Sequence, residues 1–222
     1  MLSFKDTVRE RRSIRDFLST PVPEAIIRDV LEDAQRSPSN CNTQPWNIHV
    51  VSGAKRLALA EALHEASEAE RYTPDFFWDE AAFQGRYGER RREHGKLYYE
   101  SMGVQREDKE GRRKASARNF LFFNAPHVAL LFMPVIGDNV RVAGDLGMYG
   151  QTFLLSLTAH GLGGVPQTVL GLFADTIRET LGIPDDLKLL FGISFGFPSG
   201  AAVESSARMW RDDVLGSVTF HD

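Results

Sequence analysis

Ala125-Pro126-His127-Val128-Ala129-Leu130-Leu131-Phe132-Met133 limits the fold more than any other stretch. After His127 every side chain is apolar and nothing alternates, so a strand built from 127–133 must be covered on both faces. The run is far too short to cross a membrane, and Pro126 stops a helix from running into it. A sheet with covering layers is therefore expected, and the rest of the chain has to supply the covers.

Arg141 to His160 is the longest strongly periodic segment. Leu146, Tyr149, Phe153, Leu154 and Leu157 lie on one side, and Gly161 ends it. Such a helix suits a core spine or a subunit interface. Pro23 to Gln35 predicts a second amphipathic helix, with Ile26, Ile27, Val30, Leu31 and Ala34 on one face and Ser37-Pro38 as its stop. Ala54 to Ala69 and Ala174 to Gly182 read as further helices. Trp46 to Val51, closed by Ser52-Gly53, and Leu187 to Phe195 read as strands, and Val214 to Phe220 is a possible edge strand. Few strands among long helices favour the α+β class. With no repeat and no linker, residues 1–222 are expected to form one domain with a helical insert at about 71–118. Asp145, in helical surroundings with no obvious partner, reads as a helix-start carboxylate.

Composition removes several function classes. A net charge of −4 argues against a general nucleic-acid binder. Arg90-Arg91-Arg92 and Arg112-Arg113-Lys114 are interleaved with glutamates and read as ion-paired helix faces. No apolar run reaches membrane-spanning length, so no membrane partner is expected. The single cysteine, Cys41, fits a reducing compartment, and a cytoplasmic protein is expected. The six histidines lie far apart without metal-ligand spacing, and no metal site is expected. There is no Walker loop and no Gly-x-Ser-x-Gly elbow.

Three separated pieces carry the chemistry. Arg11-Arg12-Ser13-Ile14-Arg15-Asp16-Phe17 packs three guanidiniums and a hydroxyl into five residues, from Arg11 to Arg15. It is either a solvated basic turn or an anion site, with Ile14 and Phe17 pointing inward. Ser37 to Trp46 is a loop of amides, hydroxyls and prolines that could read the edge of a heterocycle or merely connect. Gly163 to Val169 reads as a glycine loop in which the backbone can approach a ligand closely, with Gln167 and Thr168 offering polar groups. With Arg208 and Arg211, these pieces suit a phosphorylated planar cofactor. The aromatics of 71–118 either wall a pocket or anchor the insert, and a flat apolar slot with few fixed charges is expected.

Arg-Arg-Ser-x-Arg-x-Phe followed by Pro-Ser-x-x-Asn-x-Gln-Pro-Trp resembles the nitroreductase family of FMN-dependent oxidoreductases. Arg118-Asn119-Phe120, Asp145-Leu146-Gly147 and Gly161-Leu162-Gly163 continue the similarity over nearly the whole chain. The insert most resembles the nitrobenzoate-reductase-like branch, while an iodotyrosine-deiodinase-like branch shares the same cradle. The resemblance implies an α+β three-layer fold with a mostly antiparallel sheet, and an intertwined homodimer with two interface FMN sites. It places Arg11, Arg12, Ser13 and Arg15 on the phosphate and ribityl chain. Pro38, Ser39 and Asn40 of the other subunit would lie along the flavin, with Asn42 and Gln44 close behind. Pro166, Gln167 and Thr168 would line the isoalloxazine, and either Arg208 or Arg211 would complete the phosphate site. The implied activity is reduction of nitroaromatics, quinones or similar acceptors by NADPH or NADH. The alternatives are a reductive dehalogenase and a non-catalytic FMN-binding protein. No catalytic side chain is expected, because the flavin carries the chemistry.

Overall fold

In the computed structural model, which describes residues 2–205 and 208–221, the apolar run forms a strand over His127–Pro134. With β1 (Asn47–Ser52), β2 (His127–Pro134), β3 (Gly163–Gln167) and β4 (Leu187–Gly196), the sheet order is β1-β2-β4-β3, antiparallel throughout. Successive side chains of a strand point to opposite faces. Val128, Leu130 and Phe132 therefore join a cluster with Leu59 and Leu63 of α3 (Gly53–Glu68) and Ile177 of α7 (Ala174–Leu181). Ala129, Leu131 and Met133 go to the other face. There they meet Val30 and Ala34 of α2 (Glu24–Ala34) and Leu146, Phe153 and Leu157 of α6 (Val140–Ala159). The result is three layers with the sheet in the middle, as the unbroken apolar run requires.

The chain starts with α1 (Phe4–Glu10), and the insert after α3 carries α4 (Gly85–Glu100) and α5 (Lys109–Ala117). The basic runs of the insert are ion-paired on its surface, with Arg113 bridging Glu110 and Glu68 and Arg91 pairing with Glu80. After β4 comes α8 (Gly200–Ser205). No described helix is long and apolar enough to cross a membrane.

Three local expectations change. Gly53 does not merely close β1: its left-handed backbone (φ +57°) turns the chain directly into α3. The stretch 163–167 is strand β3 rather than a loop, paired with β4 from Gly163↔Gly196 to Gln167↔Gly192. The glycine there serves a close approach, not a turn: a Cβ on Gly163 would lie 2.8 Å from the Ile14 side chain. Residues 214–220 contain a short 3-10 turn at Val214–Gly216 and no strand, and Val214, Leu215 and Phe220 are exposed.

His127 opens β2 as a buried polar residue. Its Nε2 accepts a hydrogen bond from the Val22 N–H at 2.9 Å, and its ring stacks on Phe195. Burial lowers its pKa below the ordinary value, and the charge of Arg56 adds to this. The folded state therefore prefers the neutral ring, so its contribution is present above about pH 6.5 and is lost as the pH falls. Thermal unfolding followed from pH 8 to pH 5 should show this acid limb. His127→Phe should flatten it and lower stability by about 1–3 kcal/mol, because the Val22 N–H loses its partner.

Candidate functional site

The segment 11–17 is fixed by backbone pairing. Ser13 bridges Gly164, the Ile14 N–H donates to the Gly164 carbonyl at 3.2 Å, and Phe17 bridges Pro198. Ile14 and Phe17 are buried, which discards the solvated-turn reading of the segment as a whole. Ser13 and Arg15 line a cavity of about 400 Å³ together with Tyr98, Ser101, Arg118 and Met209. The Arg15 guanidinium lies 4.9 Å from the centre of the Tyr98 ring. Burial lowers the Arg15 pKa, with the Tyr98 phenol opposing and Arg118 reinforcing the shift. Among the described residues no carboxylate pairs with Arg15. The Tyr98 hydroxyl is buried without a hydrogen-bond partner. Asp16, the one acid in the wall among the described residues, is already occupied by Ser199 Oγ at 2.6 Å, Asn124 Nδ2 at 3.2 Å and Arg118 at 3.7 Å. Guanidinium and hydroxyl donors are the groups that proteins use to hold anions.

The remaining arginines divide. Burial lowers the Arg11 pKa, and the charge of Arg211 lowers it further. Arg211 itself donates to the carbonyls of Met209 and Trp210. Arg208 donates to the Arg9 carbonyl and is paired with Glu10 at 2.6 Å, so its charge is already answered. Arg12 donates to the Val203 carbonyl at 3.0 Å. It lines a second cavity of about 220 Å³ with Glu10, Ile14 and Thr158, so it does not join Arg15 at the larger one.

The amide-rich loop is shaped by its own polar groups. Cys41, Asn42 and Gln44 all have left-handed backbone. Ser39 Oγ accepts from the Gln44 N–H, and the Gln44 side chain donates to the Asn42 carbonyl, while Pro38, Asn40 and Asn42 stay exposed. The Asn40 N–H donates to both oxygens of Asp145, at 3.1 and 3.2 Å. Asp145 is thus not a helix-start carboxylate: it is buried within α6 and anchors the loop. Its place on the buried stripe with Val142, Leu146 and Tyr149 was the available sequence signal.

In one copy the loop and the cradle do not meet. The loop is held at Asp145, near the start of α6, whereas Arg12 and Ile14 share a cavity with Thr158 near its end. Thirteen residues of helix separate those levels by about 20 Å. The loop also leads into β1, at the opposite edge of the sheet from β3.

Of 166–168, Pro166 and Thr168 are exposed, and Gln167 is buried. The Gln167 side chain donates to the Asn119 carbonyl at 2.9 Å and accepts from the Ser194 hydroxyl, so it faces the protein interior. Asn119 follows Arg118, whose guanidinium donates to the Arg15 carbonyl at 2.6 Å. Both ends of the insert are therefore fastened. At its start, Asp75 forms a two-pronged ion pair with Arg178 at 2.6 and 3.0 Å and accepts from the Leu189 N–H. The insert aromatics split between the two expected roles: Tyr98 walls the cavity, Tyr72 packs on Phe173, and Phe77 is fully exposed. Arg15 and Arg118 both line the cavity.

Fold and site together define an α+β protein with an arginine-lined cavity beside the β3 edge of an antiparallel sheet. The family profile described as the nitroreductase family matches residues 8–197. Nitroreductase NfnB of Mycolicibacterium smegmatis is 44% identical over 96% of this chain and 90% of that protein. A crystal structure of the FMN-dependent nitroreductase NfnB from Mycobacterium smegmatis in complex with NADPH matches with a TM-score of 0.93 at 42% identity. It covers 98% of this chain and 97% of that one. The 4-nitrobenzoate reductase of Pseudomonas putida is 34% identical over 98% of this chain and 95% of that protein, and iodotyrosine deiodinase 1 of Rattus norvegicus is more distant at 28%. The chain belongs to the nitroreductase family.

Proposed function

We propose that this chain binds FMN and uses it to pass reducing equivalents from NADPH or NADH to nitroaromatic, quinone or similarly conjugated acceptors. The observation that carries the reading is Arg15, a desolvated guanidinium with no carboxylate partner among the described residues, facing a cavity that Ser13 and Tyr98 also line. Those groups fit a phosphorylated, hydroxyl-bearing cofactor. The relatives named as FMN-dependent nitroreductase and as nitrobenzoate reductase support the choice of cofactor and acceptor. Bound FMN would supply the hydride chemistry itself. The chain's own part is to hold and orient it: Arg11, Ser13 and Arg15 at the anion, and the exposed stretch at Pro166 and Thr168 along the ring. Gln167 would act indirectly, fixing β3 to Asn119 and Ser194.

The site is assigned to two copies of the chain, Arg15 from one and Pro38 to Gln44 from the other. The separation of about 20 Å along α6 between the loop and the Arg12–Ile14 stretch supports this. On the outer side of α6, a Cβ on Gly144 or Gly147 would meet nothing within 4 Å, which leaves room for close approach by a second copy. Chain mass by light scattering should be that of a dimer. The single cysteine favours a cytoplasmic enzyme.

The test is anaerobic. Purified protein should be yellow and release FMN on denaturation. Its flavin should bleach with NADPH or NADH and reoxidise quickly with a nitrobenzoate or a quinone. One site serving donor and acceptor in turn should give parallel lines in double-reciprocal plots. A colourless protein that takes up no FMN would end this reading, and reoxidation by an iodophenol alone would replace it with the dehalogenase.

A further inference from the structure

We infer that Tyr98, carried on the insert, donates its hydroxyl to the phosphate-bearing chain of FMN, so that bound cofactor adds a further tie between the insert and the cradle. This rests on the FMN reading above and adds to it a cofactor-holding residue and a route by which the insert controls cofactor retention.

The starting point is the unpartnered phenol. A buried tyrosine hydroxyl normally finds a hydrogen-bond partner, because leaving one unmade is destabilising. Tyr98 does not, although its oxygen is fully shielded. The ring is well held, so the hydroxyl is fixed in place. Arg15 lies over one face at 4.9 Å, and Tyr99 packs against it with ring centres 5.4 Å apart. His94, one turn earlier on α4, is parallel to it at 6.5 Å.

The surroundings say what the missing partner is. The last turn of α4 and the residues just after it, Tyr98, Ser101 and Met102, make one wall of the cavity, and Ser13 and Arg15 of the cradle face them. The groups left over there, the Arg15 guanidinium and the Ser13 and Tyr98 hydroxyls, can all donate, and the guanidinium charge favours an acceptor-rich, negatively charged group. Burial keeps the phenol protonated well above neutral pH, so it remains a donor. The wall is not free to drift away, because Arg118 at the far end of the insert grips the Arg15 carbonyl. A ligand on Arg15 therefore sits beneath Tyr98, and one hydrogen bond couples the insert to the cofactor.

Tyr98→Phe tests this, since it deletes one oxygen and keeps the ring. Two effects of opposite sign are expected. FMN should bind about tenfold more weakly, close to 1.4 kcal/mol, and dissociate faster, read from the recovery of free-flavin fluorescence. The apo-protein should melt at the same temperature or higher, because an orphaned hydroxyl has been removed. A merely structural phenol would lower both. Trypsin supplies a second readout: FMN should slow cleavage at Arg90 to Arg92 in the parent protein and protect Tyr98→Phe less. Equal FMN affinity in parent and variant, or equal protection, would overturn the inference while leaving the FMN site standing. A parent protein that takes up no FMN would overturn both.

Discussion

Replacing Arg15 by alanine lowers FMN affinity by about 1.5–3 kcal/mol, the range for a hydrogen bond to a charged group, which is roughly tenfold to a hundredfold or more in Kd. The effect should exceed that of any other arginine here because of what Arg15 lacks. Its guanidinium is desolvated, faces the larger cavity and has an aromatic ring rather than a carboxylate as its neighbour. Arg208 is the contrast: it is exposed and already paired with Glu10, so Arg208→Ala should change affinity by well under 1 kcal/mol. Fluorescence titration of the apo-protein with FMN measures both. Arg15→Ala should not weaken the apo-fold, since it removes an unanswered charge. Unchanged FMN affinity in Arg15→Ala would move the anion site elsewhere, with Arg11 and Arg211 as the next pair to test.

Asp75→Ala is expected to be the most destabilising single change, at about 3–5 kcal/mol, the usual result of breaking a buried ion pair from one side. Asp75 and Arg178 have side chains only 4% and 6% exposed, so the loss leaves a buried guanidinium held only by Asp175, the distant Asp185 and the Leu187 carbonyl. Burial pushes the Asp75 carboxyl up, but the Arg178 hydrogen bonds, the Leu189 N–H and the charges of Arg178 and Lys188 outweigh it and leave it below the ordinary value. With a lowered folded pKa, the contribution is complete above about pH 4 and is lost as the pH falls further, well below the His127 window. A melting temperature lower by roughly 10 °C at pH 7, with a flattened acid limb, is the expected signature. A double variant with Asp75→Leu and Arg178→Met should recover much of the loss, because two matched apolar groups leave nothing unpaired. The pair also fastens the start of the insert, so Asp75→Ala should speed tryptic cutting near Arg90 more than cutting elsewhere.

The layers, most helices and the composition of the cradle were legible because they depend on local spacing. An unbroken apolar run demands cover on both faces, and a strand's period of two then delivers Val128 and Ala129 to different cores. Helical stripes every three or four residues located α2 and α6 in the same way. Asp145 marks where that reading stopped short: the stripe placed it inside, but only the fold shows that its partner is the Asn40 N–H, 105 positions away. Gln167 reversed direction for a similar reason, since strand pairing with β4 decided which way it faces, and no local signal fixes that pairing. The unpaired state of Arg15, its closeness to Tyr98 and the grip of Arg118 on its carbonyl across 103 residues are likewise products of tertiary packing. The sequence by itself determined which chemical groups are present and which faces are buried, because both follow from residue type and period. Only the tertiary structure decided which polar groups satisfy one another and which are left over, because that depends on contacts between segments that no periodicity links.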